Sequence, residues 1–432
     1  MTDVAAAPVD ERVPPLRGNR DFRLLWVGAG LAFLGSRVGT LAYPLLVLWY
    51  TGSARDAGLV GFAATLPFTL VQLPAGVLVD RWDRRRLMIA CDAGRFLAVG
   101  SVALALALGK VWLPHLAAVA FVETSLTILY RLAERAAVPN LVRSGELAKA
   151  LSRNEAREQA AGLLGRPAGT LLFAIGRSAP FVFTALAHLL ALVTLLFIRT
   201  PFQSAAQEDR AARAREPRQL RRLWTELVEG VVWVWRNRFI RVAACLIAVS
   251  NMLFQALNLA LIEIVRQGGG SATRLGLVVG VTGVGGAIGA LTANRWMSWF
   301  RLPHLVIGAN VLWALLMPLA AFTANPFALG ALFACMALAG AVWNVAAGVY
   351  QLRVTPDALL GRVAAVVSLA AFGTLSLGNL AGGFLLEALG TRDCVLVISA
   401  VMAVLALAAW ASPAVRGCAY PDDGTSGGDG TS

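Results

Sequence analysis

The sequence predicts an all-α integral membrane protein of twelve transmembrane helices in two pseudo-repeated six-helix bundles, and three observations carry that prediction. Of the 432 residues, 58% are hydrophobic and only 15% charged, against about 45–50% and 25% in soluble globular chains. The apolar residues gather into runs of about 20, the length that crosses a hydrocarbon core of about 30 Å. Segments of the first half recur in the second at a nearly constant offset, which indicates duplication.

The runs follow in order along the chain. The first, 22–50, stops at Thr51-Gly52; the second, 57–79, lies between Asp56 and Asp80; the third, 87–109, between Arg86 and Lys110. The fourth covers 112–136, the fifth 150–175 and the sixth 179–199. After a long polar break come 240–266, 274–297, 303–323, 327–353, 362–389 and 393–414. An even count returns both termini to one side. Of the 38 Lys and Arg, 28 collect on that side, whereas Arg55, Lys110, Arg177, Arg266, Arg274 and Arg392 fall opposite and Arg37, Arg95, Arg157 and Arg166 lie within runs. The basic side is expected to be cytoplasmic by the positive-inside rule, so both termini are expected inside.

These runs divide the chain into a cytoplasmic segment 1–21, a bundle 22–199, a basic linker 200–239, a second bundle 240–414 and a disordered tail 415–432. The first segment is polar, with Pro8, Pro14 and Pro15, and lacks the apolar centre of a cleavable signal peptide. The linker concentrates Arg210, Arg213, Arg215, Arg218, Arg221 and Arg222. Leu223, Leu227, Val231 and Trp235 recur at helical spacing within it. Two readings stand: an amphipathic helix on the membrane surface, or a solvated positive connection. The tail PDDGTSGGDGTS has too little apolar surface to fold.

The net charge of +13 would suggest nucleic acid in a soluble protein. Here the basic residues sit in short connections and form no basic face, so no nucleic-acid partner is expected. Cys91, Cys245, Cys335, Cys394 and Cys418 show no CxxC spacing, and the three His are isolated. No metal site and no cofactor are expected.

The repeat is visible in particular residues. Asp80-Arg81-Trp82 after the second run matches Asn294-Arg295-Trp296 after the eighth; Gly165 and Gly169 in the fifth match Gly378 and Gly382 in the eleventh. Between the second and third runs the chain reads Gly76-Val-Leu-Val-Asp80-Arg81-Trp82-Asp83-Arg84-Arg85-Arg86. Gly76, lacking a Cβ, would let the second helix approach a neighbour, and a partly buried Asp80 would pair with Arg81 or Arg84.

That segment resembles the G-x-x-x-D-R-x-G-R-R loop of the major facilitator superfamily, with Gly76, Asp80, Arg81, Arg84 and Arg85 on the matching positions. Run count, central loop and repeat extend the resemblance over essentially the whole chain. It also resembles the bacterial drug, macrolide and siderophore efflux members. The resemblance implies the major facilitator fold and a gating role for the charged cluster, which latches the halves when the cytoplasmic side closes. Asp83 stands where the family has Gly; Asp tolerates a left-handed turn better than most residues. The fifth run, with Gly162, Gly165, Pro167 and Gly169, is similar to the Gly-Pro motif of the family's antiporters, although Arg166 separates Gly from Pro. Generic helix packing explains the same residues equally well.

A charge near the bilayer centre costs at least about 2.5–3.5 kcal/mol, so each one is a functional candidate. Arg37, Glu123 and Arg166 lie nearest the middle of their runs. The resemblance places the first and fourth helices on the central cavity. Glu123 is the proton-coupling candidate, because a desolvated carboxylate takes up a proton readily; a static Arg37–Glu123 ion pair is the competing reading. Asp92, Arg95, Arg131, Glu134, Arg135, Glu155, Arg157 and Glu158 lie nearer the interface and suggest a cytoplasmic charge network. In the second half Asn251, Gln255 and Asn258 form an amide stripe, as do Asn344 and Gln351; such stripes bond a neighbouring helix or line a wet cavity.

The expected function is secondary active transport of a small organic solute by alternating access. No GxxxxGK[ST] run is present, so ATP is not the direct energy source and protons are the expected coupling ion. Efflux, the preferred direction, rests on the resemblance alone; uptake by the same fold is the alternative. A membrane enzyme or lipid scramblase, or a non-transporting sensor with a sealed apolar interior, is less consistent with these residues; no catalytic constellation is visible. The expected setting is a bacterial-type inner (cell) membrane, with lipid around a monomer.

Overall fold

The computed structural model describes residues 14–203 and 218–418. The expectations for residues 1–13, for Arg210, Arg213 and Arg215, for the side chain of Leu223 and for the tail beyond 418 lie outside the described residues; the first residues of the expected disordered tail, 415–418, are instead ordered, with Val415 buried. Every long element described is helical.

The first six crossings begin with α1 (Arg20–Thr51). Asn19 caps it by accepting from the Phe22 amide at 2.8 Å, and Gly52, at φ 72, ends it in a left-handed conformation that favours glycine. The second crossing was expected as one run over 57–79. It is instead α2 (Ala54–Thr65), α3 (Pro67–Leu70) and α4 (Gln72–Arg81), bent by 62°. Pro67 and Pro74 each remove an amide donor within this stretch, which accounts for the break.

Then come α5 (Arg84–Ala107), α6 (Leu113–Leu141), α7 (Leu147–Ile175) and α8 (Ala179–Leu196). Lys149, Arg153, Glu155, Arg157 and Glu158 make the start of α7 polar. Its 29 residues, at 1.5 Å each, still run about 43 Å, enough to cross.

The second six follow the linker helix α9 (Arg218–Arg236). They are α10 (Arg238–Gln267), α11 (Ala272–Trp299), α12 (Leu302–Leu316) continued by the 3-10 turn Met317–Phe322, α13 (Pro326–Val354) and α14 (Leu360–Ala411), before a short α15 (Pro413–Arg416). The 52 residues of α14 would extend about 78 Å, more than twice a bilayer core. Gly390, at φ 78 and ψ 172, folds them into two crossings. Among the described residues nine helices are long and apolar enough to span. The broken second crossing, α7 and the division of α14 complete twelve.

Leu16 and Cys418 lie at the end that carries Arg81–Arg86, called here the basic end: the Leu16 amide donates to Glu146 at 2.8 Å, and Cys418 bonds Tyr350. Many Leu, Val and Phe, such as Leu97, Leu291 and Leu407, are exposed. In water this would be an aggregation surface; against lipid it is the solvated face.

The duplication appears as repeated packing. In the first half, Gly165 and Gly169 of α7 lie against Arg37 and Val38 of α1. In the second, Gly378 and Gly382 of α14 lie against Met252, Gln255 and Ala256 of α10. Contacts between the halves repeat too. Gly58 of α2 meets Gly383 of α14, where an added Cβ would fall 2.8 Å from backbone, and Gly276 of α11 meets Thr170 of α7. Phe68 and Phe372, with ring centroids 5.9 Å apart, continue the contact to mid-depth. The described contacts between halves lie at the end opposite the basic one and at mid-depth, so the halves part toward the basic end.

Two expectations are corrected here. A Cβ on Gly76 would meet no atom within 4 Å; the close approach of this crossing to the other half is made by Gly58. Asp83 does not adopt a left-handed turn. At φ −61 and ψ 116 it is extended, and its carboxylate caps α5 by accepting from the Arg86 amide at 2.6 Å.

Candidate functional site

A cavity of about 320 Å³ lies between the halves at mid-depth. Its walls come from α1 (Thr40, Leu41, Pro44), α7 (Leu163, Arg166, Pro167), α10 (Gln255, Asn258, Ile262), α11 (Thr282), α13 (Phe333) and α14 (Asn379). Of these, Arg166 is the one ionisable group among the described residues lining it. Although at the middle of α7, Arg166 is exposed, because it opens on this space. Arg37, one helix away and half-buried, lies within electrostatic range of Arg166, Arg131 and Glu158.

Glu123 does not line the cavity. Buried on α6, it accepts a hydrogen bond from the Tyr43 hydroxyl at 2.7 Å. The expected alternative, an ion pair with Arg37, is not found among the described residues; Arg37 lies instead within electrostatic range of Arg166, Arg131 and Glu158. Thr127 donates to the Glu123 carbonyl at 2.8 Å and receives from Arg95 at 3.4 Å, which ties Glu123 to the charge network below it.

That network is dry. Asp92 and Arg95, both fully buried, are paired at 2.5 Å, and the Arg95 guanidinium lies 4.5 Å from the centre of the Tyr130 ring. His188 Nδ1 stands 3.7 Å from Asp92. One turn nearer the basic end, Arg157 pairs with Glu134 at 2.7 Å and reaches the Trp26 carbonyl at 3.3 Å. Arg135 lies 3.9 Å from both Glu155 and Glu158 at the surface. The Asp92–Arg95 and Glu134–Arg157 pairs are shielded from competing water, unlike the surface contacts of Arg135, so each buried charge is held only as well as its partner is placed.

The basic loop binds the first half together. Arg84 donates to the Ala136 carbonyl at 2.7 Å and the Phe202 carbonyl at 3.4 Å. Arg85 donates to the carbonyls of Leu195 and Leu196, at 3.4 and 3.2 Å. These are among the last carbonyls of α8, where Leu195 is otherwise met, among the described residues, only by the amides of the terminal turn, and a cation there also complements the helix dipole. Asp80 is exposed and within electrostatic range of Arg84. Arg81 closes α4 beside it.

The amides divide by role. Asn251 donates to the Ala371 carbonyl at 2.8 Å, joining α10 to α14. Gln255 lines the cavity and donates to Asn379 Oδ1 at 3.1 Å. Asn344 is exposed on α13 and is not part of the cavity wall. Asn379, which the residue patterns did not single out, donates across the halves to the Gly61 carbonyl at 2.9 Å and Thr65 Oγ1 at 3.2 Å. Tyr43 and His188 were also missed. Their partners stand 80 or more positions away in sequence, and a lone polar group in an apolar run gives no local signal.

The linker helix belongs to the second half. Gly230 rests on the Arg362 carbonyl of α14, and Glu229 forms an ion pair with Arg362. Val228, Val231, Val232 and Trp235 are left exposed.

Twelve crossings in two related bundles around a central, partly polar cavity define a multi-pass carrier. The chain belongs to the transmembrane secretion effector family of the major facilitator superfamily, whose model matches residues 12–420. It is similar to the multidrug efflux pump Tap of Mycolicibacterium fortuitum, 28% identical over 405 residues that cover 91% of this chain and 96% of the pump. It is also similar to the macrolide efflux protein A of Streptococcus pyogenes, 25% identical over 186 residues, 42% of this chain and 45% of that protein. Among solved structures, the nucleoside transporter NupG superposes with a TM-score of 0.72 at 14% identity, covering 90% of this chain and 98% of that one. That likeness is one of fold.

Proposed function

We propose that the protein exports a small organic solute from the cell by alternating access, coupled to proton entry through Glu123. The observation that carries this reading is a cavity enclosed by both halves at mid-depth, sealed at one end by Gly58–Gly383 and Gly276–Thr170 and approached from the other. Efflux, as opposed to uptake, is favoured by similarity to an efflux pump over nearly the full length of both chains. A wall of Arg166, Gln255 and Asn258 speaks against a non-transporting sensor with an apolar interior.

Glu123 suits the coupling role because its carboxyl is buried and engaged by a neutral hydroxyl, while Arg95 is already paired with Asp92. Neutralising such a group by protonation changes what its helix can pack against. The basic end is cytoplasmic in this scheme, the protein acts as a monomer in the cell membrane, and 22–199 and 240–414 rock against each other. Asp80, Arg81, Arg84 and Arg85 then meet the second half only after the basic end closes, over the space now open beside Gly76.

Inverted membrane vesicles with an imposed pH gradient and a panel of lipophilic drugs test this reading. Wild-type protein should accumulate drug and dissipate the gradient, and Glu123→Gln should transport without proton dependence or not at all. Transport by Glu123→Gln with unaltered proton dependence removes Glu123 from the mechanism.

A further inference from the structure

We infer that the central cavity selects organic anions, molecules with an apolar body and a carboxylate or sulfonate group; this rests on the cavity being the transport site proposed above. Arg166 supplies the recognition. It lines the cavity at mid-span, and among the described residues no hydrogen bond or ion pair engages its guanidinium. A cation so deep in a membrane protein is normally held by a carboxylate or a carbonyl. This one faces open space between the halves.

The surroundings deepen the same potential. Arg37 and Arg131 stand close enough to act together with Arg166, and Glu158, the one carboxylate acting on Arg37, also faces Arg135 at 3.9 Å. The buried carboxyls of α6, Glu123 and Glu134, are engaged by Tyr43 and Arg157 and are absent from the cavity wall. A guanidinium offers a fork of donors that matches a carboxylate or sulfonate. Asn258 and the second amide hydrogen of Gln255 add neutral donors around it, while the Thr40 and Thr282 hydroxyls donate to the carbonyls of Ser36 and Val278. Leu163, Ile262 and Phe333 supply the apolar remainder. The volume suits a compact drug-sized body. For a cation of the same shape the arrangement is repulsive and leaves Arg166 without a partner.

Fluorescein and rhodamine 123 test the inference, because they share a xanthene body and differ in charge sign. Binding to the purified full-length protein is followed by fluorescence anisotropy at neutral pH. The expected result is binding of fluorescein at least about tenfold tighter than rhodamine 123, lost in Arg166→Gln and largely kept in Arg166→Lys. Equal or tighter rhodamine binding by wild-type protein overturns the inference, as does a preference that survives Arg166→Gln. The same dyes in inverted vesicles under a pH gradient separate the two readings. Gradient-driven movement without anion preference refutes the anion site and leaves transport standing. Anion preference without gradient-driven movement refutes the transport mechanism and leaves the anion site standing.

Discussion

Asn379→Ala should loosen the sealed end of the protein by an amount that follows from its hydrogen bonds. Asn379 makes two bonds across the halves, to the Gly61 carbonyl at 2.9 Å and to Thr65 at 3.2 Å. Side-chain hydrogen bonds between helices in membranes contribute about 0.6 kcal/mol each on average. Losing both removes about 1.2 kcal/mol from the conformation described here, which shifts its equilibrium with the alternate conformation about eightfold. Spin labels at Lys110→Cys and Arg274→Cys, on opposite halves at the sealed end, report that shift as growth of a longer distance population. Gln255→Ala is the internal control. Its bond to Asn379 at 3.1 Å lies within the second half, so it should leave the populations near wild type. If Gln255→Ala moves them as far as Asn379→Ala, or Asn379→Ala leaves them unchanged, the seal does not depend on the bonds across the halves.

The dry charge network and the start of α5 give two further expectations. Asp92→Asn or Arg95→Met alone strands a buried partner and should cost about 3–5 kcal/mol, whereas the double replacement should recover much of that loss; thermal unfolding in detergent reads this, and additive losses would refute the coupling. Asp83→Ala should destabilise by about 1 kcal/mol through loss of the α5 cap, while Asp83→Gly should cost only a few tenths. Equal melting temperatures for Asp83→Ala and wild type would show that the cap contributes nothing.

Much of the architecture is legible in the sequence because bilayer crossing imposes a length and a polarity that each run must meet alone. The pairing of Gly165 and Gly169 with Gly378 and Gly382 was legible because duplication copies both partners of a contact. What could not be read were contacts between helices distant in sequence. The hydroxyl of Tyr43 and the imidazole of His188 are single polar groups in apolar runs, and their relation to Glu123 and Asp92 exists only once α1, α5, α6 and α8 are packed. The sequence marks Arg37 and Glu123 as the deepest charges on two neighbouring helices. It does not say that Arg37 packs against Gly165 of α7. Gly76 was misread for another reason: the absence of a Cβ permits close approach without saying when in a conformational cycle it occurs.

The meeting of Gly58 with Gly383 carries a consequence for how such a protein diversifies. Main chain touches main chain there, so every possible replacement adds bulk and none refines the fit. Saturation mutagenesis scored by the yield of folded protein should therefore find these two positions uniformly intolerant. Variation can be accommodated instead among the side chains around Arg166, where volume and polarity can be exchanged. Change in the cavity wall is thereby uncoupled from this contact between the halves.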